Sequence, residues 1–137
     1  MIKFDVLCSV YLAAGYDQQE KMRVWRKVLE DRMNIVVTSR WIDVKESNPM
    51  QEQAIAADEE AAASYCRHDL YDIDRADIFV MSTDTPSTSG GRHTELGYAL
   101  ARDKAVFIVG PRENIFQAGE GVLHFATWDD LCAYLFD

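Results

Sequence analysis

Apolar residues recur along this chain at two different spacings, and the two alternate from one end to the other. Asp5 to Ala14 carries a largely apolar run with Val6, Leu7, Val10, Tyr11 and Leu12, too continuous for one face of a helix and of the right length for a buried strand. From Asp17 to Met33 the spacing changes. Met22, Trp25, Val28, Leu29 and Met33 fall three and four residues apart among charged side chains, which predicts an amphipathic helix. Ile35-Val36-Val37-Thr38 is β-branched throughout and predicts a second strand. A polar stretch through Pro49 leads to a second helical pattern from about Gln51 to about Arg75, rich in Ala and Glu. Ile78-Phe79-Val80-Met81 and Ala105-Val106-Phe107-Ile108-Val109 read as the third and fourth strands, with a Ser/Thr/Gly loop and another helix between them. Gly121 to Phe125 is short enough for a last strand. Thr127 before Asp129 and Asp130 predicts the N-cap and acidic first turn of a closing helix that ends near Tyr134.

Strictly alternating strands and helices, with strands apolar on both sides, imply a parallel sheet covered on both faces. The expected architecture is a three-layer α/β domain, Rossmann- or flavodoxin-like, with about five strands. Residues 1–137 show no repeat, low-complexity tract or linker and read as a single domain. In such sheets ligands bind beyond the carboxyl ends of the strands. Those ends carry Ala13-Ala14-Gly15-Tyr16, Ser39-Arg40-Trp41, Ser82 to Arg92, and Gly110-Pro111-Arg112-Glu113-Asn114. Three of the four contain an arginine, so a locally positive crevice with aromatic walls is expected.

That expectation stands out because the chain as a whole is acidic. Its formal net charge is −9 and its pI about 4.7, which disfavours nucleic acid and anionic membrane surfaces and favours a small-molecule ligand. Cys8, Cys66 and Cys132 are odd in number and form no CxxC pair. They read as small core hydrophobes in a reducing compartment rather than as a disulfide or zinc framework. No apolar run approaches the roughly 18 residues of a membrane span. The start, Met1-Ile2-Lys3-Phe4-Asp5, lacks the regions of a signal peptide, so a cytoplasmic location is expected.

The chemistry concentrates in Ser87-Thr88-Ser89-Gly90-Gly91-Arg92-His93-Thr94-Glu95-Leu96-Gly97-Tyr98. Two glycines open a helix there, so backbone N–H groups face a possible polar ligand, and Glu95 follows within the first turns. From spacing alone, Glu95 is either a nucleophile or the partner of Arg92 on a solvated helix face. Asp69 is either functional or an ordinary surface carboxylate, and Tyr11 either functional or a core tyrosine. His93 lies in the same loop and reads equally as a structural hydrogen-bonding residue. Asp72, Asp74, Arg75 and Asp77 read as helix-end solvation and ion pairing. Gly90-Gly91 is neither a dinucleotide fingerprint nor a P-loop.

Tyr11-Leu12-Ala13-Ala14-Gly15-Tyr16, His68-Asp69-Leu70 and Thr94-Glu95-Leu96-Gly97-Tyr98-Ala99-Leu100 together resemble the nucleoside 2-deoxyribosyltransferase family, which includes N-glycosidases acting on deoxynucleoside 5′-monophosphates. The resemblance runs over nearly the whole chain, and the spacing from Asp69 to Glu95 agrees with the family's. It implies that Glu95 is the nucleophile on the anomeric carbon, that Asp69 contacts the base and protonates it, and that Tyr11 orients the Glu95 carboxylate. Gly15 and Tyr16 would surround sugar and base. Ser89, Gly91, Arg92 and His93 would complete the substrate site, with no metal or redox cofactor required.

Two departures bear on the substrate. Ser89 stands where the classical transferases carry an acidic residue for the sugar hydroxyl, which is similar to the monophosphate N-glycosidases; Arg92, Arg40 or Arg112 would then face the phosphate. The asparagine that a neighbouring subunit contributes in classical transferases has no convincing match. The resemblance thus implies cleavage of an N-glycosidic bond, with water or a second base as acceptor, by a homodimer or larger homo-oligomer. A nucleotide-binding module without turnover is the non-enzymatic alternative.

Overall fold

Val, Ile and Phe fill the strands of this chain because each central strand is covered on both faces, so both sets of alternating side chains need apolar surroundings. The computed structural model describes residues 8–32, 34–44, 59–86 and 90–136. Strands β1 (Cys8–Ala13), β2 (Ile35–Val37), β3 (Ile78–Ser82), β4 (Ala105–Val109) and β5 (Leu123–Phe125) alternate with helices α1 (Gln19–Arg32), α2 (Glu59–Asp74), α3 (Gly91–Ala101) and α4 (Trp128–Phe136). All strand pairs are parallel, in the order β2-β1-β3-β4-β5. This is the flavodoxin-like arrangement, whose connections reverse direction between β1 and β3.

The core is centred on those two strands. Val10, Tyr11, Leu12 and Ala13 of β1 and Phe79, Val80 and Met81 of β3 have no exposed surface, and Tyr11 lies opposite Phe79 in the register. On one side α1 and α4 meet through the stacked indoles of Trp25 and Trp128, with ring centroids 5.1 Å apart. On the other, α2 and α3 pack together, joined at their outer ends by Tyr98, whose hydroxyl donates to Asp74 at 2.8 Å.

Boundaries differ from the sequence reading only at the edges. The closing helix runs two residues beyond its expected end near Tyr134, to Phe136, and Thr127 caps it by accepting from Asp130 N at 3.1 Å. The last strand keeps only Leu123–Phe125, because Gly121 turns the chain at φ 88° just before it. The beginnings expected for the first strand and for the helix from Gln51 fall on residues outside those described. One core assignment is corrected. Cys132 is buried, but Cys66 is exposed, because it lies on the solvent side of α2. Among the described residues no helix is long and apolar enough to cross a membrane.

Candidate active site at the reversal of the sheet

The switch between β1 and β3 is where sheets of this order hold their ligands, beyond the carboxyl ends of the strands, and α3 begins on that side at Gly90. That residue adopts φ 80°, a left-handed conformation that glycine reaches without strain, and its carbonyl accepts from His93 N and Thr94 N at 3.1 Å each. The helix then turns Arg92, Leu96 and Ala99 into the protein, which leaves Glu95 at the crevice between them and the solvent. Tyr11 comes up from β1 to meet it. Its ring stacks on Phe79 at 5.7 Å and an interplanar angle of 5°, and its hydroxyl donates to Glu95 Oε2 at 2.8 Å.

Asp69 completes the group from α2, and the two carboxyls interact directly. Burial is the largest influence on each, since taking a carboxylate out of water favours its neutral form. Asp69 is raised to about 7, by burial first and then by the charge of Asp72; Arg40 and the hydrogen bond with Glu95 oppose the rise. Glu95 is raised to about 8, by burial first and then by Asp69, while the Tyr11 hydroxyl works in the other direction. The pair therefore holds a shared proton near neutral pH. The Tyr11 phenol, fully enclosed and facing two carboxyls, is pushed well above its usual range and stays a hydrogen-bond donor.

Residues 10–124 match the family described as Nucleoside 2-deoxyribosyltransferase. The chain belongs to that family. Among solved structures, a CMP N-glycosidase of Clostridium botulinum superposes with a TM-score of 0.56 at 19% identity, over 93% of this chain and 97% of the other. A 2-deoxyribosyltransferase of Bacillus psychrosaccharolyticus superposes with a TM-score of 0.63 at 21% identity, over 90% of each chain. At these identities the likeness is one of fold. No curated protein sequence matches the chain.

Around the carboxyl pair, this deoxyribosyltransferase-family chain arranges the other expected site residues unequally. Gly15 and Tyr16 lie just past β1; the Tyr16 hydroxyl donates to Val44 O at 2.5 Å and its ring meets Trp41 edge-on, centroids 6.1 Å apart. Gly91 has open space where a side chain would project. His93 is half-buried, with Nδ1 3.4 Å from Asn114 Nδ2 and Nε2 3.8 Å from Glu113 Oε1. Ser89 lies outside the described residues.

Arg92 differs from its sequence reading. It is buried, donating to Ser82 O at 3.1 Å and to Glu113 Oε2 at 2.5 Å, so its guanidinium ties α3 to the loop after β4. It forms no ion pair with Glu95. The locally positive crevice is reduced accordingly: Arg40 is likewise engaged, bonded through Nε to both oxygens of Asp72 at 3.0 Å. For Asp72 the expected ion pairing is present, with Arg40 and Arg75, and its burial is the main feature that sequence reasoning missed. It has no exposed surface, although its charged neighbours suggested a solvated helix end. Ser39 was also missed; its Oγ accepts from Leu12 N at 2.6 Å, while Trp41 Nε1 donates to Leu12 O at 2.8 Å. These two bonds fasten the segment after β2 to β1 beside the site. Among the described residues no cluster of His, Cys, Asp and Glu could hold a metal ion.

Proposed function

We propose that the protein breaks the N-glycosidic bond of a 2′-deoxynucleoside or its 5′-monophosphate, with Glu95 as nucleophile. The observation that carries this reading is the Tyr11 hydroxyl on Glu95 Oε2 with Asp69 beside it, which supplies a carboxylate, its orienting donor and a proton source together. The Glu95 carboxylate attacks the anomeric carbon as the bond to the base breaks. The bonding pair leaves with the base, and the Asp69 proton moves to a ring nitrogen of that base. A deoxyribosyl ester on Glu95 results, as in retaining glycosidases. Water or a second base then attacks the same carbon, Asp69 takes up the proton that the acceptor loses, and Glu95 leaves as carboxylate. Positive charge developing on the sugar is offset by the Glu95 anion, an interaction that strengthens toward the transition state.

Membership of the family supports a nucleoside or nucleotide as the substrate. The fold shared with a CMP N-glycosidase agrees with water as acceptor and that shared with a 2-deoxyribosyltransferase agrees with a base, so the assay includes both. In this reading Gly15, Tyr16, Gly91 and His93 border the sugar and base, Ser89 and the amides of Gly90-Gly91 face O5′ or its phosphate, and the working form is a cytoplasmic homodimer or larger homo-oligomer.

The test is chromatography of purified protein with deoxynucleosides and with their 5′-monophosphates, each with and without an acceptor base, alongside Glu95→Ala. Free base released without acceptor and lost in the variant supports an N-glycosidase. Exchange only in the presence of acceptor supports a transferase. Ligand binding without product in the wild-type protein overturns the enzymatic reading. Loss of the nucleophile should lower kcat on the order of 10³-fold or more.

A further inference from the structure

A chain of polar side chains runs from the loop after β4 back to the first turn of α3. Asn114 stands at its start and caps the turn that follows: its Oδ1 accepts from Phe116 N at 3.0 Å and from Gln117 N at 3.3 Å. Those two donors settle the orientation of the amide, since only its oxygen can accept them. Nδ2 is therefore the atom that faces His93 Nδ1, at 3.4 Å, and an amide nitrogen donates without being able to accept. His93 receives that bond on a bare Nδ1. In the neutral ring the proton then lies on Nε2.

Nε2 looks toward Glu113. Its distance to Oε1 is 3.8 Å, too long for a direct hydrogen bond and short enough for one oxygen about 2.8 Å from each atom to join them. Glu113 is held in place from its other side. Its Oε2 accepts from Arg92 at 2.5 Å, its Oε1 from Gln117 Nε2 at 3.3 Å, and its backbone N–H donates to Gln117 Oε1 at 2.7 Å. Arg92 and Gln117 are buried, whereas 30% of the His93 side chain and 23% of that of Glu113 are exposed. The two atoms across the gap are unlike: Nε2–H only donates and Oε1 only accepts. A hydroxyl group satisfies both at once. A phosphate oxygen could accept from Nε2, but its charge would then lie against the Glu113 carboxylate.

We propose that Asn114 is a positioning residue that keeps the His93 proton on Nε2, and that His93 Nε2 and Glu113 Oε1 form a donor–acceptor couple for a sugar hydroxyl of the substrate. This inference rests on the proposed function for its ligand, since that reading sets His93 at the border of the sugar. It names what the border recognises: a free hydroxyl, O3′ or O5′, and not a phosphate. The place of the ring proton is a property of the chain alone and is measured without ligand or turnover.

The experiment records ¹H–¹⁵N correlations of the imidazole nitrogens at about pH 8.5, above the usual histidine range. The chain has three histidines, and the His93 signals are assigned by their loss in His93→Gln. Expected in the wild type is a bare Nδ1 with a protonated Nε2. In Asn114→Asp the carboxylate can cap the same turn but can only accept from the ring, so Nδ1 should gain a proton. A protonated Nδ1 in the wild type, or a bare one in Asn114→Asp, overturns the proposal. A deoxynucleoside and its 3′-deoxy and 5′-deoxy analogues are then titrated into Glu95→Gln, where the glycosidic bond stays intact. The His93 Nε2 signal should move with the parent and with one analogue; the other, which lacks the bonded hydroxyl, should leave it in place and bind about 10-fold more weakly. The silent analogue tells O3′ from O5′. A signal unmoved by the parent, or moved alike by all three ligands, overturns the couple. Should Asn114→Asp fail to fold, the wild-type spectrum and the titration decide. Absence of product from the wild type would defeat the proposed function, while these signals would still judge this proposal.

Discussion

Replacing Glu95 by Gln should make the protein more stable at alkaline pH, because the fold holds a carboxyl there in its unfavoured neutral form. In the unfolded chain Glu95 titrates near 4.5, and in the folded protein at about 8. Between those values the folded state binds more protons than the unfolded one, so stability falls as pH rises. The contribution is fully present below about pH 4.5 and has gone once pH passes about 8. Asp69, moving from 3.8 to about 7, has the same sign. Each pH unit within the window costs about 1.4 kcal/mol per group. Crossing from pH 5 to pH 8 would cost about 4 kcal/mol for Glu95 alone, and about half of that once water entering the open crevice relaxes the charge. In Glu95→Gln the amide oxygen still accepts from Tyr11 and the amide nitrogen can donate to Asp69, so the packing is retained and only the titration is removed. Thermal melts from pH 5 to 8.5 should show a falling melting temperature in the wild type and a much flatter line in the variant. The two should separate by roughly 8 °C at pH 8, taking about 4 °C per kcal/mol for a chain of this size. Parallel lines would refute the reasoning, since Glu95 would then titrate alike in the folded and unfolded states.

Gly110→Ala should lower the melting temperature by about 10 °C in the same assay, because Gly110 sits at φ 121° and a Cβ there would lie 2.4 Å from Thr83 Oγ1; a shift under 2 °C would show that the turn after β4 can relax. Arg92→Met should cost about 3 kcal/mol by urea unfolding through stranding Glu113 and Ser82 O, and Arg92→Met combined with Glu113→Gln should recover more than half of that, whereas additive losses would rule out a coupled pair. Tyr11→Phe keeps the Phe79 stack but removes the donor on Glu95, so kcat should fall on the order of 10-fold with the near-UV circular dichroism unchanged; undiminished kcat would mean that the hydroxyl does not orient the nucleophile.

The sheet was legible in the sequence because its central strands are apolar on both faces. Ala105–Val109 was read to the residue, and Ile78–Ser82 was missed only at its polar last position. Prediction weakened where burial weakens: in β5, Leu123 and His124 are exposed, so no hydrophobic pattern marks the start of the strand. The site was less legible for a different reason. Tyr11 and Glu95 are separated by 84 positions, and no periodicity within either element shows that they meet. Only the family resemblance joined them. The burial of Arg92, expected at the substrate site, and of Asp72, read as helix-end solvation and ion pairing, was missed because charged residues are mostly exposed, whereas the ion pairing of Asp72 is observed. A signal was present in each case. Arg92, Leu96 and Ala99 follow the four-then-three spacing of a buried stripe, and Asp72 directly precedes the buried Ile73 in the last turn of α2.

The burial of these charges has a common cause in how an acidic chain packs its strand ends. Arg40 and Arg92 stand at strand ends, where an anion-binding role is the natural expectation, yet each is bonded to a carboxylate that the fold takes partly or wholly out of water, Asp72 and Glu113. A buried carboxylate without such a partner would either take up a proton or destabilise the fold. Among the described residues no arginine is bonded directly to Asp69 or Glu95, and it is burial above all that raises both. Of the three strand-end arginines, only the exposed Arg112 forms no ion pair among the described residues. A phosphate at this site would therefore have to be held mainly by the amides of Gly90-Gly91 and by Arg112. Arg40 and Arg92 are thus bonded to Asp72 and Glu113 rather than left free for an anion, and the two carboxyls without a bonded arginine, Asp69 and Glu95, are those on which the proposed chemistry depends.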